Sequence, residues 1–192
     1  MEMIIVKNAA VAGVLIGLGV LINTLAPSNI LGAALFSFGL LTIIDLQLPL
    51  FTGKIGFFNQ FRKNKKLINL LFIFIGNLIG ITLLFLIMPN GAKEIIKEKS
   101  ILKFNKTFLQ LFFDGFICGI LIHFAVTIKK EIFTIMAIMI FILAGAEHCI
   151  ADWPYFLINI SFINFIKFLL VIMGNSLGAI FLEEMLKNKG EK

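Results

Sequence analysis

Between Ala144 and Pro154 the chain reads Ala144-Gly145-Ala146-Glu147-His148-Cys149-Ile150-Ala151-Asp152-Trp153-Pro154, which sets three ionisable groups and a proline inside an otherwise apolar stretch. An imidazole can exchange a proton near neutral pH, and carboxylates with imidazole can also hold a cation. In hydrocarbon such side chains turn toward a bundle interior or a watery cavity, and a proline frees backbone groups that only protein or water can satisfy. The stretch therefore reads as a broken membrane helix lining a pathway.

The elements that must position these groups follow from composition. With 59% hydrophobic and 15% charged residues over 192 positions, and a mean hydropathy of +1.02, the chain cannot coat a soluble globule with polar surface. It reads as an all-α integral membrane protein, and a soluble binding module is excluded. The net charge of +6 comes from short Lys and Arg runs between apolar segments, a mark of membrane topology rather than of nucleic-acid binding. Cys118 and Cys149 both fall in apolar segments, where a small buried thiol is the ordinary interpretation. Thr24-Leu25-Ala26 ends the first apolar run much as a signal cleavage site would, but only Lys7 precedes it, so the run reads as a retained helix.

Six spans are predicted, over about 9–26, 30–45 continuing after a break to 60, 67–88, 108–128, 132–151 continuing to 164, and 166–186. Each suits a crossing of roughly 20 residues. Arg62-Lys63-Asn64-Lys65-Lys66, Lys129-Lys130, and Lys187, Lys189 and Lys192 place both termini in the cytoplasm by the positive-inside bias. Against that bias, the predicted outer loop over 89–107 carries Lys93, Lys97, Lys99, Lys103 and Lys106, partly offset by Glu94 and Glu98.

The chain also repeats. Gly76-Asn77-Leu78-Ile79-Gly80 in the third span returns as Gly174-Asn175-Ser176-Leu177-Gly178 in the sixth, 98 positions later. Gly13 and Gly17 on the first span are answered by Gly115 and Gly119 on the fourth, and the second and fifth are interrupted by Pro49 and Pro154. Three spans per half make the halves antiparallel, and an inverted 3+3 repeat with paired broken helices is a channel or transporter architecture. The reading is one transmembrane channel domain over 1–192, with half-repeats at about 1–89 and 100–192.

Phe36-Ser37-Phe38-Gly39-Leu40 with Leu50-Phe51-Thr52-Gly53, Gly145-Ala146-Glu147-His148 through Asp152, and the two Gly-Asn-x-x-Gly motifs together resemble the formate/nitrite transporter family over nearly the whole chain. The resemblance implies an aquaporin-like homopentamer in the lipid bilayer of the cell inner (plasma) membrane, each protomer with its own pore. It implies a passive channel or proton-linked transporter, not an enzyme, without a cofactor, for small monovalent anions or weak acids. Formate is the first choice of substrate, with nitrite or hydrosulfide next. By position, His148 matches the central pore histidine and Thr52 the threonine facing it. Phe36 and Phe141 match the outer constriction, Leu40 and Phe51 groups near the inner one, Lys103 the lysine at the outer mouth, and Asn175 a polar group on span six. The chain departs from the family at Gly119 and Asp152, where asparagines are usual, and at Pro49, where an acidic residue is usual.

A bare anion crossing rings of Phe and Leu would lose its hydration without replacement, so neutralisation favours passage. In the expected mechanism Lys103 draws the anion in, His148 exchanges a proton with it, and Glu147 orients or tunes His148. His123 has no motif and reads as a polar helix contact; Asp45 and Asp114 read as interfacial groups near span ends. An intramembrane metal or cation path through Asp45, Asp114, Glu147, His148 and Asp152 is the alternative, but the sequence offers no metal-ligand spacing for it. An enzyme using Cys149 or His148 would lack a partner set.

Overall fold

The computed structural model describes residues 2–187, so Lys189 and Lys192 of the basic C-terminal tail lie outside the described residues. Among the described residues every regular element is helical: α1 (Glu2–Leu25), α2 (Asn29–Asp45), α3 (Phe51–Lys54), a 3-10 turn (Ile55–Phe57), α4 (Phe58–Lys63), α5 (Leu67–Ile87), α6 (Asn90–Phe104), α7 (Phe108–Ile128), α8 (Glu131–Leu143), α9 (Cys149–Ile158) and α10 (Phe162–Lys187). Helices α1, α5, α7 and α10 are long and apolar enough to cross a membrane, whereas α2, α8 and α9 are shorter apolar pieces. Outward-facing Leu169, Met173, Leu177 and Phe181 run along α10 at intervals of four, an apolar stripe suited to lipid or a neighbouring subunit.

Helix α1 packs along α5 and α7 along α10, and both seams are backbone against backbone. A Cβ on Gly80 would stand 1.8 Å from the Ala10 carbonyl oxygen, and one on Gly178 2.0 Å from that of Phe116. Likewise a Cβ on Gly13 would meet the Asn77 oxygen at 2.0 Å, and one on Gly119 the Asn175 oxygen at 2.2 Å. The structural counterpart of Gly13 is therefore Gly119, and that of Gly115 is Ala9, one helical turn away from the glycine pairing read in the sequence. Gly80→Ala is expected to cost about 3 kcal/mol, because backbone rather than a flexible side chain must move to admit the methyl group. Thermal melts in detergent would measure it beside Gly91→Ala, which has nothing within 4 Å of the added carbon and should melt like the parent.

Both interrupted helices end in the same way. Gln47 N–H donates to Ile44 O and Leu48 N–H to Ile43 O, while Gly145 N–H donates to Ile142 O and Ala146 N–H to Phe141 O. Each pair closes a Schellman turn around a left-handed residue, Gln47 at φ 53° and Gly145 at φ 69°. The second break thus spans 144–148, and Pro154 lies inside α9, correcting the expectation that this proline interrupts the helix. Pro49 does lie within the first break.

The predicted outer loop over 89–107 is largely helix α6. Ala92, Ile96, Ser100 and Phe104 recur every fourth residue and are buried, with Ser100 Oγ donating to Tyr155 O at 2.8 Å. That contact lays α6 on α9, the helix that His148 caps.

Candidate functional site

Two asparagines hold the breaks. Asn77 Oδ1 accepts from Phe51 N–H at 2.8 Å, and its Nδ2 donates to Ala9 O and Pro49 O. Asn175 Oδ1 accepts from Cys149 N–H at 2.8 Å, and its Nδ2 donates to Gly115 O and Glu147 O. Phe51 and Cys149 open α3 and α9, so each amide caps the second piece of a broken helix and pins the extended backbone just before it. Asn175 is thereby an anchor rather than the pore-facing group expected: its acceptor and its amide nitrogen are spent on backbone, and it is fully buried. Asn77 is its equal, and the 98-residue repeat was the signal that could have found it.

His148 is the residue immediately before α9, equivalent to Leu50 before α3. Its Nδ1 accepts from Ala151 N–H at 3.1 Å and its Nε2 meets Thr52 Oγ1 at 2.8 Å. A backbone N–H can only donate, so Nδ1 carries a lone pair, and a neutral ring must donate from Nε2–H to the threonine oxygen. A second proton would have to displace the helix cap. This limits the expected exchange at His148: the imidazole is built to donate one hydrogen bond while staying neutral.

Phe36 and Phe141 meet edge to face, centroids 5.8 Å apart, and the Phe141 ring lies 6.1 Å from that of His148. All three line a cavity of about 250 Å³ together with Asn23, Lys103, Lys106, Glu147, Asp152 and Tyr155. Leu50 and Gly53, on either side of Thr52, line a second cavity of about 410 Å³ with Ile43, Lys54, Phe57 and Lys129. The Thr52–His148 contact stands between the two. Leu40 and Phe51, expected near an inner constriction, line neither cavity; Leu40 is fully buried and Phe51 packs edge-on against Phe74.

At the mouth of the smaller cavity the charges are paired. Lys103 bonds both Glu147 and Asp152, the latter at 2.9 Å, and lies over the Tyr155 ring. Lys106 reaches Asp114 at 2.6 Å, Glu147 at 2.8 Å and the Gly145 carbonyl at 2.8 Å. Burial draws the Lys103 pKa down, but the Asp152 and Glu147 carboxylates outweigh it and hold the ammonium above its ordinary range. Lys103 is thus a neutralised cation rather than the free attractor expected. Glu147 is likewise corrected. It faces the lysines, because the extended backbone at His148 sends neighbouring side chains apart, and no bond joins it to the imidazole. Sequence reasoning missed Tyr155 and Asn23, which carry no motif.

His123 meets Glu183 at 2.9 Å in the seam of α7 and α10 as a polar helix contact; it lines neither cavity, though its ring packs 5.0 Å from that of Phe57, which lines the larger one. Cys118 and Cys149 are free and buried. Asp45 is exposed at the end of α2.

Long apolar helices, two broken helices with matched ends and anchors, and a buried polar contact between two cavities define a helical membrane transport protein. The formate/nitrite transporter family profile matches residues 3–187, and the chain belongs to that family. It is a channel or transporter protein, multi-pass in the membrane, and not an enzyme. No curated protein sequence matches it. Among solved structures it is similar to a pentameric formate channel with formate bound, at 22% identity and a TM-score of 0.82, covering 100% of this chain and 98% of that one. It is also similar to an FNT family ion channel, at 22% identity and a TM-score of 0.80, covering 99% and 91%.

Proposed function

We propose that the chain conducts small monovalent anions or their conjugate acids through its own pore, with formate the first candidate and nitrite or hydrosulfide next. The observation that carries this reading is the buried Thr52–His148 hydrogen bond, a neutral polar contact between His148, which lines the smaller cavity, and Thr52, flanked by Leu50 and Gly53, which line the larger. A small solute leaving water there needs one compensating hydrogen bond, and a neutral donor serves either an anion or its acid without trapping it as an ion pair would. The cation alternative finds no carboxylate free of a lysine, since Asp114, Glu147 and Asp152 each hold at least one oxygen on an ammonium group.

In this reading the site is Thr52 and His148 at the centre, Phe36 and Phe141 above them, and Lys103 with Glu147 at the mouth; Leu40 and Phe51 belong to the wall beneath. Six spans in two oppositely oriented halves form a single channel domain, both termini are cytoplasmic, and the protein sits in the plasma membrane as a homopentamer, a reading supported by its likeness to a solved formate channel that is pentameric. Proteoliposomes should take up radiolabelled formate well above protein-free vesicles and take up no manganese. Manganese uptake without formate uptake would replace this reading with the cation one, and mass measurement in detergent would decide the pentamer.

A further inference from the structure

The mouth holds one carboxylate more than its ammonium groups can neutralise. Lys103 and Lys106 face Asp114, Glu147 and Asp152, and Glu147 is shared by both lysines. Asp152 has one oxygen, Oδ1, on Lys103, whereas its Oδ2 is buried without any hydrogen-bond partner and belongs to a side chain lining the 250 Å³ cavity. Asp152 is only 4% exposed, so bulk water does not satisfy that oxygen. An ionised carboxylate with one bare oxygen beside a second carboxylate is costly, and binding one proton removes both the bare lone pair and the repulsion.

We propose that Asp152 is a proton-binding, charge-selecting residue of the outer mouth: Oδ2 takes a proton from cavity water, and the resulting O–H is offered as a hydrogen bond to a monovalent anion in the cavity. The inference rests on the anion-conduit reading above and deepens it. With Asp152 ionised the five mouth groups sum to one negative charge and repel an anion. With Asp152 protonated the sum is zero, and a donor replaces a bare acceptor where the anion arrives. The other ionisable groups around it are Lys99 and Lys103 of α6, Lys106, Asp114 and Cys118 of α7, Glu147 and His148 ahead of α9, the latter lining the same cavity with its Nδ1 held by the Ala151 N–H, and Cys149 and Tyr155 of α9 itself. Helix α5 carries no ionisable side chain; α1 offers only Asn23 and Thr24 at this end, and Lys167 of α10 is spent on the Phe104 carbonyl.

The test is formate flux into proteoliposomes for the wild type, Asp152→Asn and Asp152→Glu across roughly pH 5 to 8. An amide is neutral and can donate, so Asp152→Asn mimics the protonated form. The ratio of its flux to wild type should be near one at the acid end and rise about tenfold toward the alkaline end, while the Asp152→Glu ratio should stay flat. Taking ratios removes the substrate's own protonation, common to all three. A constant Asp152→Asn ratio would overturn the proposal, whereas absent formate flux in the wild type would overturn the conduit reading instead. Should the variants not fold, the wild type labelled with carbon-13 aspartate serves. A protonated aspartic acid carbonyl band in its infrared spectrum near pH 5 is expected to fade with rising pH, and its absence throughout would equally sink the idea.

Discussion

Asn175→Ala is expected to prevent recovery of folded protein. The side chain is fully buried and makes three hydrogen bonds to backbone groups of two segments, Gly115 of α7 and the Glu147–Cys149 stretch that opens α9. Truncation leaves the Cys149 N–H and the Glu147 carbonyl without their partner in a water-free setting and adds a small void. Two orphaned groups at about 1–3 kcal/mol each approach the whole stability of an ordinary domain, about 5–15 kcal/mol. Asn77→Ala should behave alike, since it strands Phe51 N–H and Pro49 O in the matching place. Ser176→Ala is the control: its hydroxyl only bonds back to Ile172 O of its own helix, and the change should be nearly silent. Gel filtration and thermal melts in detergent would decide. A well-behaved Asn175→Ala protein melting within a few degrees of the parent would show that the break is held by other contacts.

His148→Asn is expected to leave the fold intact and cut formate flux about 10- to 100-fold. Asparagine is a preferred N-cap, so the Ala151 N–H keeps an acceptor, but the shorter side chain withdraws the donor that now reaches Thr52. A hydrogen bond to a charged group is worth about 1.5–3 kcal/mol, and each 1.4 kcal/mol is a factor of ten in rate. The shape of the pH profile should survive, because a ring whose Nδ1 already accepts from backbone does not gain and lose protons in use. Flux that fell together with its pH response would return proton exchange to His148; unchanged flux would make the residue a cap and nothing more.

The paired Gly-Asn-x-x-Gly motifs were legible because they answer to backbone. Gly-Asn-x-x-Gly recurs where two helices touch without side chains between them and an amide must reach into a break. The first-span pairing slipped by one turn for the same reason: Gly13 and Gly17 are four apart, as are Gly115 and Gly119, and the true partner of Gly115 is an alanine that a glycine match passes over. The second break was misplaced because Pro154 is the loudest breaker in its sequence, while the turn is made by Gly145 and, in the other half, by Gln47, whose left-handed backbone leaves no mark in composition. Helix α6 was hidden by its charges, although Ala92, Ile96, Ser100 and Phe104 trace one face. Three of the four ion pairs of the mouth join residues 41 to 49 positions apart, and no local pattern specifies them, whereas Lys106 and Asp114 are only 8 apart.

The glycine seams also make the molecule mechanically stiff in one direction. Sliding α1 along α5 by part of a turn would drive a side chain into the space where Gly80 and Gly13 now admit a carbonyl, and α7 on α10 is notched in the same way at Gly178 and Gly119. The four long helices are keyed like the staves of a cask. Any change in the bore must then come from the parts not keyed: the swing of the Phe36 and Phe141 rings, or the lift of α6 from its rim.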